Sequence, residues 1–189
     1  IRICLVGSEM CIRDRSVTAG QKSGTITFSN TIGNAGAGVI SSNAIKIGNT
    51  NTSTVAFSSS LYSFDGTTTI TSASGNNITV GATAEFETKQ DAITFATGTI
   101  KLADNANLTV NSDGGAITIA SIAGTSDETV TINADVVAGG LNATTTETVR
   151  IGNVGDSSHA QIHNLTIDGE DGITLTGAIY TSCLLYTSP

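Results

Sequence analysis

Short segments in which apolar and polar residues alternate recur through most of the chain. Each places Ile, Val, Leu or Phe at every second position, as in "TITF" at 25–28, "NITV" at 77–80 and "TVTI" at 129–132. This alternation, rich in β-branched residues, is typical of strands that bury one face. Dipeptides such as DG, SG, GN and GG separate the segments and predict tight turns. No stretch keeps a convincing helical period, so the sequence predicts an all-β protein.

The spacing of these segments indicates how the strands are arranged. The leading apolar residues of six successive segments stand 7 to 9 residues apart: Ile78, Phe86, Ile93, Ile100, Leu108 and Ile117. Three such strands make a coil of roughly 22–25 residues, within the range of solenoid repeats. The sequence therefore predicts a parallel β-helix, in which each strand pairs with the strand one coil above it. The expected stacked pairs are Ile78 with Ile100, Phe86 with Leu108, and Ile93 with Ile117.

The scarcity of large side chains favours a narrow, extended core. Aromatic residues make up 4% of the chain, with 5 Phe, 3 Tyr and no Trp. A compact domain of this length usually centres on several aromatic side chains, because these dominate core burial. Small branched residues spread along the chain suit a core built from stacked rows of Ile, Val and Leu instead.

A longer internal repeat is superimposed on the strand pattern. Residues 23–49 align without a gap with residues 127–153, at an offset of 104 residues. Both segments end in Ile-Gly-Asn, and with one inserted residue the match extends over 23–72 and 127–176. The segment 16–182 is therefore predicted to be a β-solenoid with a 104-residue internal repeat.

Several runs resemble a known class of repeat: "SGTITFSNTIG", "NLTVNSDGGAITI" and "NLTIDGEDGITLTGAI" are similar to the β-solenoid repeats of filamentous-haemagglutinin-like bacterial adhesins. The resemblance spans nearly all of residues 23–182 and rests on composition and strand phase. It implies a long right-handed parallel β-helix, secreted or held at the bacterial surface, that mediates attachment or biofilm cohesion. No secretion motif of the family is visible, so the resemblance leaves the export route and the anchoring open.

The two ends of the chain differ in composition from the rest. All 3 cysteines, the single methionine and the single proline lie within 1–15 or 183–189. "LVGSEMCIRDR" and "CLLYTSP" resemble a sequencing adapter translated from its two strands. We therefore expect 1–15 and 183–189 to be adapter-derived, and 16–182 to come from a longer protein. A signal peptide or a metal-binding pair of Cys4 and Cys11 fits poorly, because the apolar run is short and no second ligand pair follows.

The net charge of the chain restricts the classes of partner that it can bind. The whole chain carries a formal net charge of −8, and residues 16–182 keep 14 of the 16 acidic but only 5 of the 8 basic residues. This balance disfavours nucleic acid and anionic membrane surfaces, which both need clustered Lys and Arg. No apolar run approaches the twenty residues of a membrane-spanning helix. An acidic, Thr- and Asn-rich segment without cysteine is common in secreted bacterial surface proteins, so we expect an extracellular or cell-surface location.

The motif "DGEDG" at 168–172 is the candidate metal site. Asp168, Glu170 and Asp171 are interspersed with two glycines, and calcium prefers carboxylate and carbonyl oxygens offered by such flexible loops. EF-hand spacing and the GGxGxD repeat are absent, so a solvated turn between two strands is the alternative. His159 and His163 have metal-binding spacing only on a helix, and their surroundings predict a turn and a strand. Calcium is the one cofactor that the sequence suggests.

No catalytic constellation is visible in the sequence: it has no GxSxG motif and no recognisable pairing of His with a carboxylate. We therefore predict a non-enzymatic structural or adhesive segment of a large repeat protein, with a host or neighbouring cell surface and its glycans as partners. Three alternatives stay open. They are a phage tail-fibre or tailspike segment, a carbohydrate-active β-helix enzyme and a tandem β-sandwich adhesin.

Overall fold

The computed structural model describes residues 16–17, 24–33, 40–75, 77–125, 127–135, 147–155 and 162–187. Sixteen strands and no helix are found in these residues. They are β1 (Ser16–Val17), β2 (Gly24–Phe28), β3 (Ile40–Ile47), β4 (Thr52–Phe57), β5 (Leu61–Thr71), β6 (Asn77–Val80), β7 (Ala84–Thr88), β8 (Ile93–Thr97), β9 (Thr99–Leu102), β10 (Leu108–Asn111), β11 (Ile117–Ala123), β12 (Thr129–Asn133), β13 (Thr148–Val154), β14 (Ile162–Asp168), β15 (Gly172–Leu175) and β16 (Thr181–Thr187). Within the described ranges, no helix is long and apolar enough to cross a membrane.

The strands stack in three ladders, and every pairing between them is parallel. Ladder 1 contains β2, β4, β6, β9 and the ends of β11 and β13. Ladder 2 contains the first half of β5, then β7, β10, β12, β14 and β16. Ladder 3 contains β1, β3, the second half of β5, β8, and the starts of β11 and β13, followed by β15. The chain visits the ladders in the order 1, 2, 3 and repeats, which confirms the predicted parallel β-helix with three strands per coil. It excludes the tandem β-sandwich for the described residues, because sandwich sheets are antiparallel.

The observed register tests the predicted stacking. Ile78 pairs with Ile100 and Ile93 with Ile117, so two of the three expected pairs are confirmed. The third is wrong by two residues: Phe86 pairs with Val110, and Leu108 pairs with Ala84. A shift of two residues keeps each side chain on the same face of its strand, so the apolar pattern alone does not distinguish the two registers.

Coil length varies more than the sequence pattern suggests. The step from Leu108 to its partner Val130 is 22 residues, and the step from Ile93 to Ile117 is 24 residues. The step from Val130 to Leu165 is 35 residues, because the connections between β12 and β13 and between β13 and β14 are longer there. The predicted coil of roughly 22–25 residues therefore holds for the middle of the chain and not for the coil that contains β12 and β13.

Inward-facing side chains from the three ladders form one continuous core. Strands such as β6, β7, β10 and β12 alternate buried and half-buried residues along their length. At one end of the stack the core is aromatic: the ring of Phe57 lies 5.1 Å from Phe28, 4.7 Å from Tyr62 and 4.8 Å from Phe86. The buried Tyr62 hydroxyl accepts a hydrogen bond from the Ser59 N–H at 2.7 Å, which satisfies the one polar group of this cluster. The scarce aromatic residues are thus concentrated in a few coils, while Ile, Val and Leu fill the rest.

The segments predicted to be adapter-derived have different positions in the structure. Residues 1–15 lie outside the described residues. Residues 183–187 belong to β16, which pairs in parallel with β14. The origin of both segments and the 104-residue repeat stay predictions.

Candidate metal centre

Three carboxylates from different parts of the chain meet at the corner between ladders 2 and 3. They belong to Asp135, Glu147 and Glu170, and one oxygen atom of each lies within 4.8 Å of the others. Asp135 follows β12, Glu147 precedes β13, and Glu170 lies in the turn between β14 and β15. Since β12 pairs with β14 and β13 with β15, the cluster joins two successive coils of the solenoid.

Backbone pairing fixes the position of Asp135. The last residue of β12, Asn133, pairs with Asp168 of β14. Immediately afterwards, the Ala134 N–H donates to the Asp168 carbonyl at 2.9 Å. The Asn133 side-chain oxygen accepts the Asp135 N–H at 2.9 Å, which closes an Asx turn and ends the strand. Asp135 is thereby held beside the β14–β15 turn.

Two reciprocal hydrogen bonds attach Glu147 to that same turn. The Glu147 N–H donates to Asp171 Oδ2 at 3.0 Å, and the Asp171 N–H donates to the Glu147 carbonyl at 3.3 Å. The turn itself is closed by the Gly172 N–H, which donates to the Gly169 carbonyl at 3.2 Å. These contacts hold Glu170, which lies inside the turn, next to Glu147.

The Glu147 carboxylate is buried without a hydrogen-bond partner. The residue is 2% exposed, and neither of its side-chain oxygens has a partner. The equivalent residue one strand earlier is Glu128, which precedes β12 and is also fully buried. Both oxygens of Glu128 accept the Thr125 N–H at 2.9 Å, and one also accepts the Thr125 hydroxyl. The fold therefore supplies hydrogen-bond donors to the buried Glu128 carboxylate, whereas the buried Glu147 carboxylate faces other acidic groups.

The surroundings of Glu147 disfavour its ionised form. Burial is the largest cause that raises the pKa of its carboxyl from 4.5 to about 7, and the adjacent Glu170 and the charges of Asp135 and Asp171 contribute to the same rise. Every charged neighbour that acts on this pKa is another carboxylate. A bound cation would favour the ionised form, because an opposite charge at close range offsets the cost of burying a carboxylate.

The predicted residues of the "DGEDG" motif fall into different roles. Glu170 belongs to the cluster, and Asp171 holds the backbone of Glu147. Asp168 lies at the end of β14, where its carbonyl accepts the Ala134 N–H, and it is outside the group of three clustered carboxylates. His163 is exposed on β14, and His159 lies outside the described residues. Calcium binding by Asp168, Glu170 and Asp171 as a set stays a prediction.

Sequence reasoning missed Asp135 and Glu147, although one signal for Glu147 was present. Val149 and Ile151 are the inward-facing residues of β13, and the period of two places Glu147 on the same inward face. An acidic residue at an inward position is unusual, because Glu is almost never fully buried unless it is paired. Asp135 carries no such signal, because only the tertiary structure brings the ends of β12 and β14 together.

No protein-family model, no curated protein and no solved structure matches the chain. The resemblance to filamentous-haemagglutinin-like repeats therefore rests on the sequence pattern described above.

Proposed function

We propose that the chain is a non-enzymatic segment of a large secreted or cell-surface repeat protein, which acts in attachment, biofilm cohesion or as a stalk. The observation that carries this proposal is the stack of three parallel ladders around one continuous core. In such a solenoid each coil contacts mainly its neighbours, so coils can be added without changing the design of the core. The architecture is suited to spanning distance and to repeating one surface many times.

The outward surface supports weak contacts with many copies of a ligand. The residues between the buried positions of β7, β10 and β12 are Glu and Thr, which are half-buried and hydrated. Such a surface offers hydroxyl, carboxylate and backbone groups suited to hydrogen-bonding glycans on a host or neighbouring cell. Individual contacts of this kind are weak, and repetition along a solenoid multiplies them through effective concentration.

The resemblance to filamentous-haemagglutinin-like adhesins makes the proposal more specific. The quoted repeats, the parallel β-helix and the acidic surface all agree with a bacterial adhesin that is secreted or surface-attached. We propose this family relationship together with the extracellular location.

An adhesion assay with dense display of the full chain tests the function. Beads coated with the chain should bind bacterial or epithelial cells, and periodate oxidation of the cell-surface glycans should remove the binding. Soluble chain should compete about 10²-fold less effectively per molecule than the same chain on a bead, because avidity is lost. Binding no greater than that of albumin-coated beads at any density would overturn the adhesive role.

A carbohydrate-active enzyme is the second candidate, because the Asp135, Glu147 and Glu170 carboxylates lie together as acid and base groups do in such enzymes. The burial of Glu147 counts against it, since a glycosidic bond cannot reach a side chain that is 2% exposed. Product release from a panel of acidic and neutral polysaccharides, lost in the Glu147→Gln variant, would favour the enzyme over the adhesin. A stable trimer in light scattering would favour a phage tail-fibre segment.

A further inference from the structure

The Asp135–Glu147–Glu170 cluster concentrates negative charge where the fold supplies no compensation. Three carboxylates with oxygens within 4.8 Å of one another repel, and Asp171 adds a fourth charge beside them. Unpaired like charges at this separation destabilise a fold unless a proton or a cation neutralises them. The fold nevertheless brings them together from the two ends of the β12–β13 connection and from the β14–β15 turn.

Glu147 provides an independent sign that this cluster binds something. Its side chain is 2% exposed and both of its oxygens lack partners, whereas the matching Glu128 is bound by Thr125. A buried carboxylate without partners costs several kcal/mol, so such groups are usually paired or coordinate metals. Its oxygens are directed at Asp135 and Glu170, which makes a shared cation the natural partner.

The donor atoms select the kind of cation. All three ligands are carboxylate oxygens, which bind hard cations such as calcium and magnesium in preference to zinc or copper. Oxygens bound to one calcium ion at 2.3–2.6 Å lie up to about 5.2 Å apart, whereas a magnesium shell at 2.0–2.1 Å spans about 4.2 Å. The three oxygens, all within 4.8 Å of one another, fit inside a calcium shell.

We propose that Asp135, Glu147 and Glu170 bind one calcium ion that ties together two successive coils of the solenoid. The ion would link the end of β12 and the start of β13 to the β14–β15 turn of the next coil. Waters and nearby carbonyls would complete the six to eight ligands that calcium takes. This site requires no adhesive function, so it stands or falls separately from the proposal above.

Thermal unfolding of the full chain tests the site. The protein is stripped of metal with EGTA, and its unfolding midpoint and binding heats are measured while CaCl2 is added. We expect saturable binding with a Kd of about 10⁻⁴–10⁻³ M, the range of extracellular calcium modules. The midpoint should rise by about 5 °C at 10 mM CaCl2 and by less at the same concentration of MgCl2.

Variants assign the binding to the three residues. Glu147→Gln, Asp135→Asn and Glu170→Gln should each weaken calcium binding about 10-fold or more, because each removes a charged ligand. Glu87→Gln lies on β7, which β10 separates from β12, and should leave the shift unchanged because Glu87 is outside the cluster. If circular dichroism shows that Glu147→Gln does not fold, the exposed Glu170 decides the question through its own variant.

Three results would overturn the proposal. They are the absence of a saturable calcium-dependent shift up to 10 mM, an equal shift with magnesium, and a full shift retained in Glu170→Gln. A loss of the shift in Glu87→Gln would likewise overturn it, because calcium binding would then depend on a carboxylate outside the proposed site.

Discussion

Two buried glutamates occupy the same kind of position, directly before a strand, and yet have different surroundings. Glu128 and Glu147 each precede a Thr-Val pair at the start of a strand, and both are buried. Glu128 closes its turn by accepting the Thr125 N–H, so its charge is part of a satisfied hydrogen-bond group. Glu147 has no such donor and faces Asp135 and Glu170.

This contrast predicts opposite effects of the same substitution. In EGTA at pH 8, Glu128→Gln should lower the free energy of unfolding by about 1–3 kcal/mol, because the Thr125 N–H loses a charged acceptor. Glu147→Gln should raise the midpoint of the calcium-free protein under the same conditions, because it removes a buried and uncompensated charge. Urea unfolding of both variants beside the wild type measures the two effects, and a change of the same sign in both would contradict the assignment.

Glu85 on β7 makes the stability of the fold depend on pH. Burial, and then the charge of Glu87, raise the pKa of Glu85 above its ordinary value of 4.5. In the unfolded chain this carboxyl loses its proton near pH 4.5, whereas in the folded protein it keeps the proton to higher pH. Its contribution to stability is therefore fully present below pH 4.5 and is lost as the pH rises through the raised value.

Unfolding midpoints in EGTA at pH 4, 5, 6 and 7 measure this dependence. Glu85→Gln should flatten the fall in stability with rising pH, and Asp127→Asn, at an exposed turn, serves as the matched control. Identical pH profiles for the wild type and Glu85→Gln would show that Glu85 contributes nothing to the linkage.

At the scale of the elements, the long strand β5 shows how one strand serves two ladders. Its first half pairs with β7 and its second half with β8, and Gly66 lies at the bend between them. Gly66 has a φ of +144°, and a Cβ there would lie 1.6 Å from the Ser42 carbonyl oxygen. The corner between ladders 2 and 3 therefore needs the absence of a side chain at this position.

Gly66→Ala should accordingly destabilise the protein by more than 2 kcal/mol, since both the backbone conformation and the contact with Ser42 oppose it. Gly75→Ala is the matched control, because Gly75 has a φ of +77° but open space around its Cβ position. The control should cost about 1 kcal/mol, the penalty of the left-handed conformation alone. Equal losses in chemical denaturation would mean that the close approach at Ser42 is relieved by local movement.

At the scale of the whole molecule, the ladders leave open edges. Within the described residues, β15 pairs only with β13 and β16 only with β14, so each leaves one edge unpaired. Large apolar side chains near these edges are exposed, including Leu175 at 40% and Leu185 at 56%. An unpaired parallel edge beside exposed leucines is a template for association between copies.

We therefore expect the full chain to associate as its concentration rises. Leu185→Lys should shift the association to higher concentration, because it removes an exposed apolar side chain and also places a charge on the edge strand. Ser182→Lys, on the same strand but at an exposed polar position, should have a smaller effect. Light scattering between about 5 and 200 μM measures both, and a wild type that stays monomeric throughout would contradict the expectation.

The strands, the turns and the three-strand coil can be predicted from the amino-acid pattern alone. They depend on local alternation and turn residues, and stacking requires only that apolar residues face inward. Ile78 with Ile100 and Ile93 with Ile117 followed directly from spacing. The two-residue slip between β7 and β10 did not follow, since both registers bury the same faces.

The aromatic cluster, the long coil and the acidic site become visible only in the folded chain. Phe57, Tyr62 and Phe86 meet because ladders 1 and 2 face one another across the core, which the spacing along one strand does not encode. The 35-residue step from Val130 to Leu165 breaks the regular period, so counting coils along the sequence does not bring Asp135 beside Glu170. A site built from different turns forms only if the register of the ladders places those turns side by side. Packing of the whole stack fixes that register.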